Sequence, residues 1–389
     1  MELLEGVVQH YDWGSTSSLP GILGRPEDGR PWAELWLGAH PSAPARSGPA
    51  GEALDEVIAR DLVGALGVDA ARRFGELPFL LKILAAGAPL SLQSHPSVAQ
   101  AEAGFEREDA AGVPVDAPNR SFRDRNHKPE LICALTPFDA LCGFRSPTEA
   151  LEVLATIPTT ALDGVRGRLA DAAGSGTDGL DGLLAFLLTL GPADAAALVE
   201  PVVAACALPG PPEYADARAM AVALGERYPG DAGVVTALLL NLVHLAPGEA
   251  LFLGAGNLHA YLAGTGVEVM ANSDNVLRGG LTSKHIDVST LLDIVDAKPL
   301  EVVVQRPPVI DGVATYITPV PEFSLARFDL SGRVSVAGPA VLLCTDGTAN
   351  AAAQTLERGD AAFLPARDGV VELEGRATVF VAGIGASSP

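Results

Sequence analysis

The sequence predicts a mainly β protein with a helical block in its middle. Residues 1–145 contain short apolar runs broken by Gly, Pro, Asp and Asn, a pattern typical of strands and turns. Residues 146–246 are rich in Ala and Leu at three- and four-residue spacing, which indicates helices. From residue 248 the strand pattern returns. A chain of 389 residues is long enough for two or three domains.

The first β region contains three apolar runs of strand length, at residues 77–84, 90–93 and 131–135. Two stretches within it, residues 54–66 and 98–106, predict short helices instead.

The helical block contains several amphipathic stretches after its start at residue 146. Apolar residues recur at 151, 154 and 157, and Pro147, Pro192 and Pro212 lie where helices are expected to begin. The further predicted helices span residues 180–190, 193–206, 213–228 and 232–245.

The second β region has strand-like runs at residues 251–253, 267–270 and 302–304. Residues 313–389 continue as short strands with turn signals, and many short strands at close spacing are typical of a sandwich or a barrel. The pattern alone leaves two arrangements open. The three regions are separate domains, or the helical block is inserted into one β domain.

The net charge of −22 argues against nucleic acid and anionic membranes as partners. The chain has no apolar run of the roughly 18 residues that a membrane span needs, and its acidic N-terminus does not resemble a signal peptide. We therefore expect a cytoplasmic protein. Because the whole chain is negatively charged, an anionic substrate would need a local cluster of basic residues. Residues 120–128 form such a cluster.

Two residue types have unusual usage. The chain has only four lysines, of which Lys128 and Lys284 lie in the motifs described below, and Arg supplies the other basic side chains. The four cysteines form no C-x-x-C pair and lie in apolar surroundings, so they predict small buried side chains and not a disulfide or thiolate metal site.

Two segments combine polar side chains at strand spacing. In residues 91–96, Ser91, Gln93 and His95 would share one face of a strand, which brings an amide and an imidazole close enough to chelate a metal. In residues 126–131, Lys128 and Glu130 would share a face in the same way. The alternatives are a polar strand face with a surface histidine, and an ordinary ion pair.

A third segment places His259 in a Gly-rich, otherwise apolar stretch, where a structural histidine is the alternative reading. Glu268 follows on a predicted strand, and Asp274, Arg278 and Lys284 follow beside paired glycines. Two imidazoles, one carboxylate and one amide together form a plausible nitrogen and oxygen site for Zn²⁺.

These segments resemble the type I mannose-6-phosphate isomerase (phosphomannose isomerase) family. The similarity follows the family's order across most of the region that would be catalytic, and the helical block and residues 313–389 carry little of it. It covers residues 11–15, 33–41, 90–96, 127–130, 136–145 and 259–284. One departure is Asn257-Leu258, where many members carry Glu-Pro before the histidine.

The resemblance implies two jelly-roll (cupin-like) domains plus an all-α domain. Residues 1–145 with 247–312 would form the catalytic domain, 146–246 the inserted helical domain, and 313–389 the second jelly roll. It also implies a monomer that interconverts D-mannose 6-phosphate and D-fructose 6-phosphate through an enediolate.

The same resemblance implies the site residues. One Zn²⁺ would be held by Gln93, His95, Glu130 and His259. The implied catalytic residues are Arg278, Lys128, Glu268, Asp274 and His127, with the base left open among Lys128, Glu268 and Asp274 and with His127 and Asp274 as candidates for ring opening. The implied substrate-binding residues are Trp13, Glu34, Ser91 and Lys284, with a core position as the alternative for Trp13.

Two other functions are weighed against the isomerase. A cupin-type metal oxygenase or epimerase usually carries two closely spaced histidines with a glutamate, and needs no phosphate-binding cations. A sugar-phosphate-binding protein without catalytic activity would have lost ligands or pocket charges, and this sequence has lost none of them.

Overall fold

The structure is a computed structural model that describes residues 1–175, 179–351 and 353–386. Within these residues the chain is a mixed α and β protein with two ten-stranded sheets. The described strands are β1 (Glu2–Glu5), β2 (Val7–Gln9), β3 (Glu34–Gly38), β4 (Arg46–Ser47), β5 (Glu52–Ala53), β6 (Phe79–Ala86), β7 (Gln93–Ser94), β8 (Glu130–Ala134), β9 (Phe138–Phe144), β10 (Leu240–Leu245), β11 (Ala250–Leu253), β12 (His259–Ala271), β13 (Leu277–Arg278), β14 (Val313–Tyr316), β15 (Ser324–Leu330), β16 (Arg333–Ala337), β17 (Ala340–Ala351), β18 (Gln354–Glu357), β19 (Ala361–Leu364) and β20 (Val370–Gly383).

The described α-helices lie before, within and after the predicted helical block. They are α1 (Ser18–Ile22), α2 (Leu54–Arg60), α3 (Leu62–Leu66), α4 (Val68–Phe74), α5 (Val98–Ala110), α6 (Pro147–Ala155), α7 (Asp163–Ser175), α8 (Leu180–Leu188), α9 (Pro192–Cys206), α10 (Ala215–Arg227), α11 (Gly233–Leu238) and α12 (Val288–Ile294). Among the described residues, no single helix has the length and apolar composition of a membrane span. The pair α8 and α9 meets that criterion only when joined across a 112° bend.

The long strand β12 organises the first sheet. Its C-terminal half pairs with β6 and β8, and its N-terminal half pairs with β7 and β9. Gly264 lies between the halves at φ 119°, where an added Cβ would come 2.6 Å from the Pro137 carbonyl oxygen. Side chains from strands that pair with the two halves share one apolar cluster, in which Ile132 of β8 joins Phe138 of β9 and Tyr261. The two halves therefore enclose a common interior.

The other face of β3, β6 and β12 packs against the second sheet. Leu81, Ile83 and Val267 share a buried cluster with Phe363 and Phe380 of the C-terminal strands. Burial of each such side chain stabilises the fold by about 1.5–3 kcal/mol. Because successive strand residues alternate between faces, the residues between these apolar ones point into the interior.

The second sheet contains three short strands, β1, β4 and β5, that the sequence pattern assigns elsewhere. Strand β1 pairs with β19, with Leu3 opposite Ala362, although residues 1–145 were grouped with the first sheet. A pairing partner some 360 residues away leaves no local signal, which explains the difference. The domain boundaries themselves stay a prediction.

The helices α6 to α11 cover the outer face of the β7, β9 and N-terminal β12 segment. Leu141 and Leu258 from this segment share a buried cluster with Leu154, Val199 and Leu238 from the helices. Helix α6 begins with the expected signals, because the Ser146 side chain caps it and proline occupies its first turn.

Four local predictions differ from the structure, the first being the strand at residues 90–93, where only Gln93 and the following Ser94 form β7. The helix predicted over residues 232–245 ends at Leu238, and the rest is strand β10, because a buried apolar run does not distinguish the two by periodicity. The strand predicted over residues 302–304 is wrong, since those residues have no ladder and pack as loop. The helix predicted over residues 54–66 is two helices, broken at Asp61, which caps the second.

Candidate metal centre and active site

Three buried side chains converge inside the first sheet. His95, Glu130 and His259 are 0%, 2% and 0% exposed, and one ligand atom from each lies within 4.8 Å of the other two. The Nε2 atoms of His95 and His259 lie 3.4 Å and 3.5 Å from the two Glu130 oxygens. Two ligands about 2.1 Å from a tetrahedral zinc ion lie about 3.4 Å apart, so these separations fit such an ion.

Hydrogen bonds fix which nitrogen each histidine presents. Nδ1 of His95 donates to the carbonyl oxygen of Asn275 at 2.7 Å, and Nδ1 of His259 donates to that of Asn257 at 3.0 Å. A carbonyl only accepts, so each Nδ1 carries a proton and each Nε2 is the nitrogen that faces the cluster. Within the described residues, the two Nε2 atoms and Glu130 Oε2 are buried without a hydrogen-bond partner. Buried polar atoms are seldom left unpaired, which is the strongest sign that a metal ion belongs here.

The charge states of these side chains suit a cation. Burial lowers the pKa of His95 to about 4 against the opposing pull of Glu130, so this imidazole is neutral near pH 7. Burial alone would raise the pKa of Glu130, but Lys128 and the histidines outweigh it and hold that pKa well below its usual value. Lys128 Nζ lies 3.2 Å from Glu130 Oε1, as expected from their alternate spacing.

Strand register places Gln93 beside the cluster. Strand β7 is only two residues long, so the predicted alternation from Ser91 to His95 does not rest on a continuous strand. Instead, Gln93 lies directly opposite His259 on one side and Arg278 on the other. Residues opposite each other in an antiparallel ladder share a face, so Gln93 lies between a candidate ligand and a candidate substrate cation.

A buried charged trio, which the sequence reasoning missed in part, lies on the same inner face. Lys82 Nζ lies 3.4 Å from Glu34 Oε1 and 3.1 Å from Glu268 Oε2, and Trp36 Nε1 donates to Glu34 at 2.7 Å. Burial opposes the charge on Lys82, but the two carboxylates raise its pKa above the ordinary lysine value. Burial raises the pKa of Glu268, with Lys82 opposing. The available signal was a lysine inside the apolar run at residues 79–86.

A group of cations lies around Arg278, on the side of Gln93 that faces away from His259. In the described part of the chain, the side chains of Arg278, Lys284 and Arg123 form no close ion pair with a carboxylate. Burial lowers the pKa of Arg278, with Arg123 adding to the effect. Burial, then Arg278, lowers the pKa of Lys284, while Asp12 opposes. Like charges gathered in a chain of net charge −22 indicate an anion site.

Asp274 and His127, the two candidates for ring opening, lie in different surroundings. Asp274 Oδ1 lies 3.7 Å from Nε2 of the buried His40, a pairing that sequence reasoning missed. His127 contacts neither the cluster nor the trio, because its Nε2 lies 3.0 Å from Glu322 Oε1 in the C-terminal region.

Trp13 stacks on Tyr11 and packs at the edge of the interior cluster, which suits both of its readings. Ser91 is partly buried two residues before Gln93.

Two further features concern the segment around His259. Tyr261 was not predicted from the sequence as a site residue. Its hydroxyl is buried without a hydrogen-bond partner among the described residues. Burial and then Glu268 raise its pKa well above the ordinary value. At the departure noted above, Asn257 accepts from His259 through its backbone carbonyl, and its side chain donates to Cys142 Sγ at 3.3 Å. Every residue has a backbone carbonyl, so Asn257 in place of the usual Glu keeps the hydrogen bond that orients His259.

Comparisons with known proteins agree with this geometry. Residues 1–147 match the family described as phosphomannose isomerase type I, catalytic domain. The chain is 39% identical to mannose-6-phosphate isomerase of Escherichia coli (strain K12) over 390 residues, covering 96% of this chain and 97% of that protein. It is 31% identical to the Bos taurus protein of the same name over 412 residues, covering 94% of each.

Solved structures are similar over nearly the whole chain. A mannose 6-phosphate isomerase bound with zinc and yttrium has a TM-score of 0.90 at 36% identity, covering 99% of this chain and 100% of that one. The apo form from Salmonella typhimurium has the same TM-score and identity, covering 99% of each chain.

Proposed function

The chain belongs to the type I phosphomannose isomerase family, and on that premise we propose that it interconverts D-mannose 6-phosphate and D-fructose 6-phosphate with one zinc ion. The observation that carries this is the convergence of the Nε2 atoms of His95 and His259 on the Glu130 carboxylate, beside the cations Arg278 and Lys284. Among the described residues, neither Nε2 has a hydrogen-bond partner and neither cation has an ion-pair partner. An oxygenase needs no such cations.

We assign the zinc ligands to Gln93, His95, Glu130 and His259. The two imidazoles, the ionised carboxylate and the adjacent amide form a nitrogen and oxygen donor set that zinc accepts. When bound, the ion supplies an electrophile that stabilises negative charge developing on the sugar oxygens.

The phosphate group of the substrate binds at Arg278 and Lys284, with Ser91 donating a hydrogen bond. Arg278 lies on the strand beside Gln93, so a sugar phosphate held there extends towards the ligand cluster. Its guanidinium also stabilises the enediolate, because its charge persists at every working pH. Glu34 and Trp13 line the pocket beside the sugar.

Lys128 moves the proton between C2 and C1, accepting it as the free amine and returning it as the ammonium. Of the three candidate bases, only Lys128 has its polar atom in contact with the ligand cluster, at 3.2 Å from Glu130. Glu268 is 2% exposed and held by Lys82, so its role is to balance the charge of that lysine. Removal of the proton from C2 leaves an enediolate. The hydroxyl proton then passes from O2 to O1, and return of the first proton to C1 leaves the carbonyl at C2.

Asp274 carries out ring opening together with His40. Asp274 is partly exposed and faces this buried imidazole, which gives it both access to the sugar and a proton-exchanging neighbour. His127, the other candidate, is engaged by Glu322, and we assign it to holding the C-terminal region against the catalytic loop.

The domain arrangement that we propose is two jelly-roll domains with the helical region inserted into the first. Pairing of β12 with β6, β8 and β9, which precede the helices, supports it. All proposed site residues come from one chain, so a monomer suffices.

A pair of histidine variants tests this function. His95→Ala removes a buried proposed ligand, and His244→Ala removes an exposed histidine that pairs with Asp139 on the surface. We expect the first to lose both bound zinc and ketose formation from mannose 6-phosphate, and the second to keep both. Binding of mannose 6-phosphate without ketose formation by the unaltered protein would instead indicate a non-catalytic binding protein.

A further inference from the structure

Asn275 is a buried asparagine whose side chain joins two loops. Its Oδ1 accepts from the backbone N–H groups of Arg123 and Asp124 at 2.7 Å and 3.3 Å. Its Nδ2 donates to the carbonyl oxygens of Asp124 and Asn126, both at 2.9 Å, and to Asp124 Oδ1 at 3.1 Å. The side chain is 0% exposed, and both of its polar atoms are used, so its conformation is fixed.

The backbone of the same residue holds a proposed metal ligand. The Asn275 carbonyl accepts the Nδ1 proton of His95 at 2.7 Å, and its amide N–H donates to Ser273 Oγ at 3.2 Å. This carbonyl sets the tautomer that leaves His95 Nε2 free for a metal. Because the side chain is held by residues 123–126, the position of the carbonyl depends on those hydrogen bonds.

Three parts of the site meet at this residue. The loop at residues 123–126 leads directly into Lys128 and Glu130, and Arg278 lies three residues after Asn275. A shift of the Asn275 side chain would therefore move His95 relative to the proton-transferring and phosphate-binding residues together.

We propose that Asn275 is a positioning residue, whose side-chain amide sets the orientation of His95. The same amide fixes the distance between the loop that precedes Lys128 and the strand of Arg278. This proposal rests on the function proposed above. The position requires an amide, because an aspartate of the same shape cannot donate to the two carbonyls and would meet the Asp124 carboxylate instead.

The test compares two asparagines whose side-chain amides both donate hydrogen bonds to backbone carbonyls. Asn275→Asp removes the donors at the site. Asn241→Asp removes the donors that bind the carbonyls of Cys142, Gly143 and Phe144 at the strand edge. For each purified apo protein, the zinc dissociation constant is measured by competition with a chelating dye, and the thermal midpoint is measured separately.

We expect Asn275→Asp to bind zinc about 10–100-fold more weakly, with a fall in kcat at saturating zinc, as for partners that orient metal ligands. Asn241→Asp should lose thermal stability and keep its zinc affinity. If Asn275→Asp does not fold, Ser273→Ala removes one hydroxyl from the same network and should weaken zinc binding in the same direction by a smaller factor.

Zinc affinity of Asn275→Asp equal to that of the unaltered protein would overturn the proposal, whatever its thermal midpoint. Equal affinity in a folded Ser273→Ala chain would do the same where Asn275→Asp fails to fold. Failure of the proposed function gives a different result, in which the unaltered protein binds zinc but forms no ketose from mannose 6-phosphate.

Discussion

Replacing Lys82 by methionine should strongly destabilise the fold, because two buried carboxylates lose their only close cation among the described residues. Lys82 Nζ lies 3.4 Å from Glu34 and 3.1 Å from Glu268. At an effective dielectric constant of about 20, each contact supplies about 5 kcal/mol of Coulomb energy. Much of this offsets the cost of taking the charges out of water, and removal of one partner of a buried pair typically costs about 3–5 kcal/mol.

The matched control is Lys298→Met. Lys298 lies 3.5 Å from Asp296, but both side chains are more than half exposed, so its loss should cost less than about 1 kcal/mol. Adding Glu268→Gln to Lys82→Met removes one of the stranded carboxylates and should recover part of the loss.

Urea unfolding of the metal-free protein measures these differences. Tryptophan fluorescence is a suitable probe, because Lys82 Nζ lies 5.4 Å from the ring of Trp36. A Lys82→Met chain as stable as the Lys298→Met chain, to within about 1 kcal/mol, would refute the claim that the trio is a coupled ionic unit.

Three further predictions follow from the site and its surroundings. Arg278→Ala should lower kcat by about 100-fold, the typical effect of removing a group that stabilises developing charge, with zinc content unchanged by metal analysis. Loss of the zinc would make Arg278 structural. Lys128→Met should stop exchange of the substrate C2 hydrogen with solvent deuterium, followed by NMR, and continued exchange would exclude it as the proton carrier. Burial raises the pKa of all four cysteine thiols to about 11, so they should react with a thiol reagent at pH 8 only after unfolding. Because these acid groups have a raised pKa when folded, their contribution to stability is complete below the unfolded value of about 9 and is lost as pH rises towards 11.

The sequence indicated those parts of the site in which the informative residues are neighbours in the chain. Lys128 and Glu130 are two residues apart, and their contact at 3.2 Å follows from strand alternation. Gln93 and His95 were predicted as a pair for the same reason, although the ladder there is only two residues long. The register of Gln93 against His259 and Arg278 is a property of the folded sheet.

Contacts between distant residues were beyond such reasoning. Lys82 meets Glu34 and Glu268, which lie 48 and 186 residues away, and Asn275 holds a loop some 150 residues earlier. The resemblance to a family named Glu34 and Glu268 as site residues, but nothing local in the sequence connects either one to Lys82. Pairing of β1 with β19 is invisible for the same reason.

Controlled removal and return of zinc tests the central claim most directly. Protein stripped by a chelator, and shown by metal analysis to be free of metal, is assayed for conversion of mannose 6-phosphate while zinc is added back in measured amounts. The arrangement of His95, Glu130 and His259 predicts no activity in the stripped protein and a linear return that stops at one zinc per chain. Full activity in the metal-free protein would contradict the account.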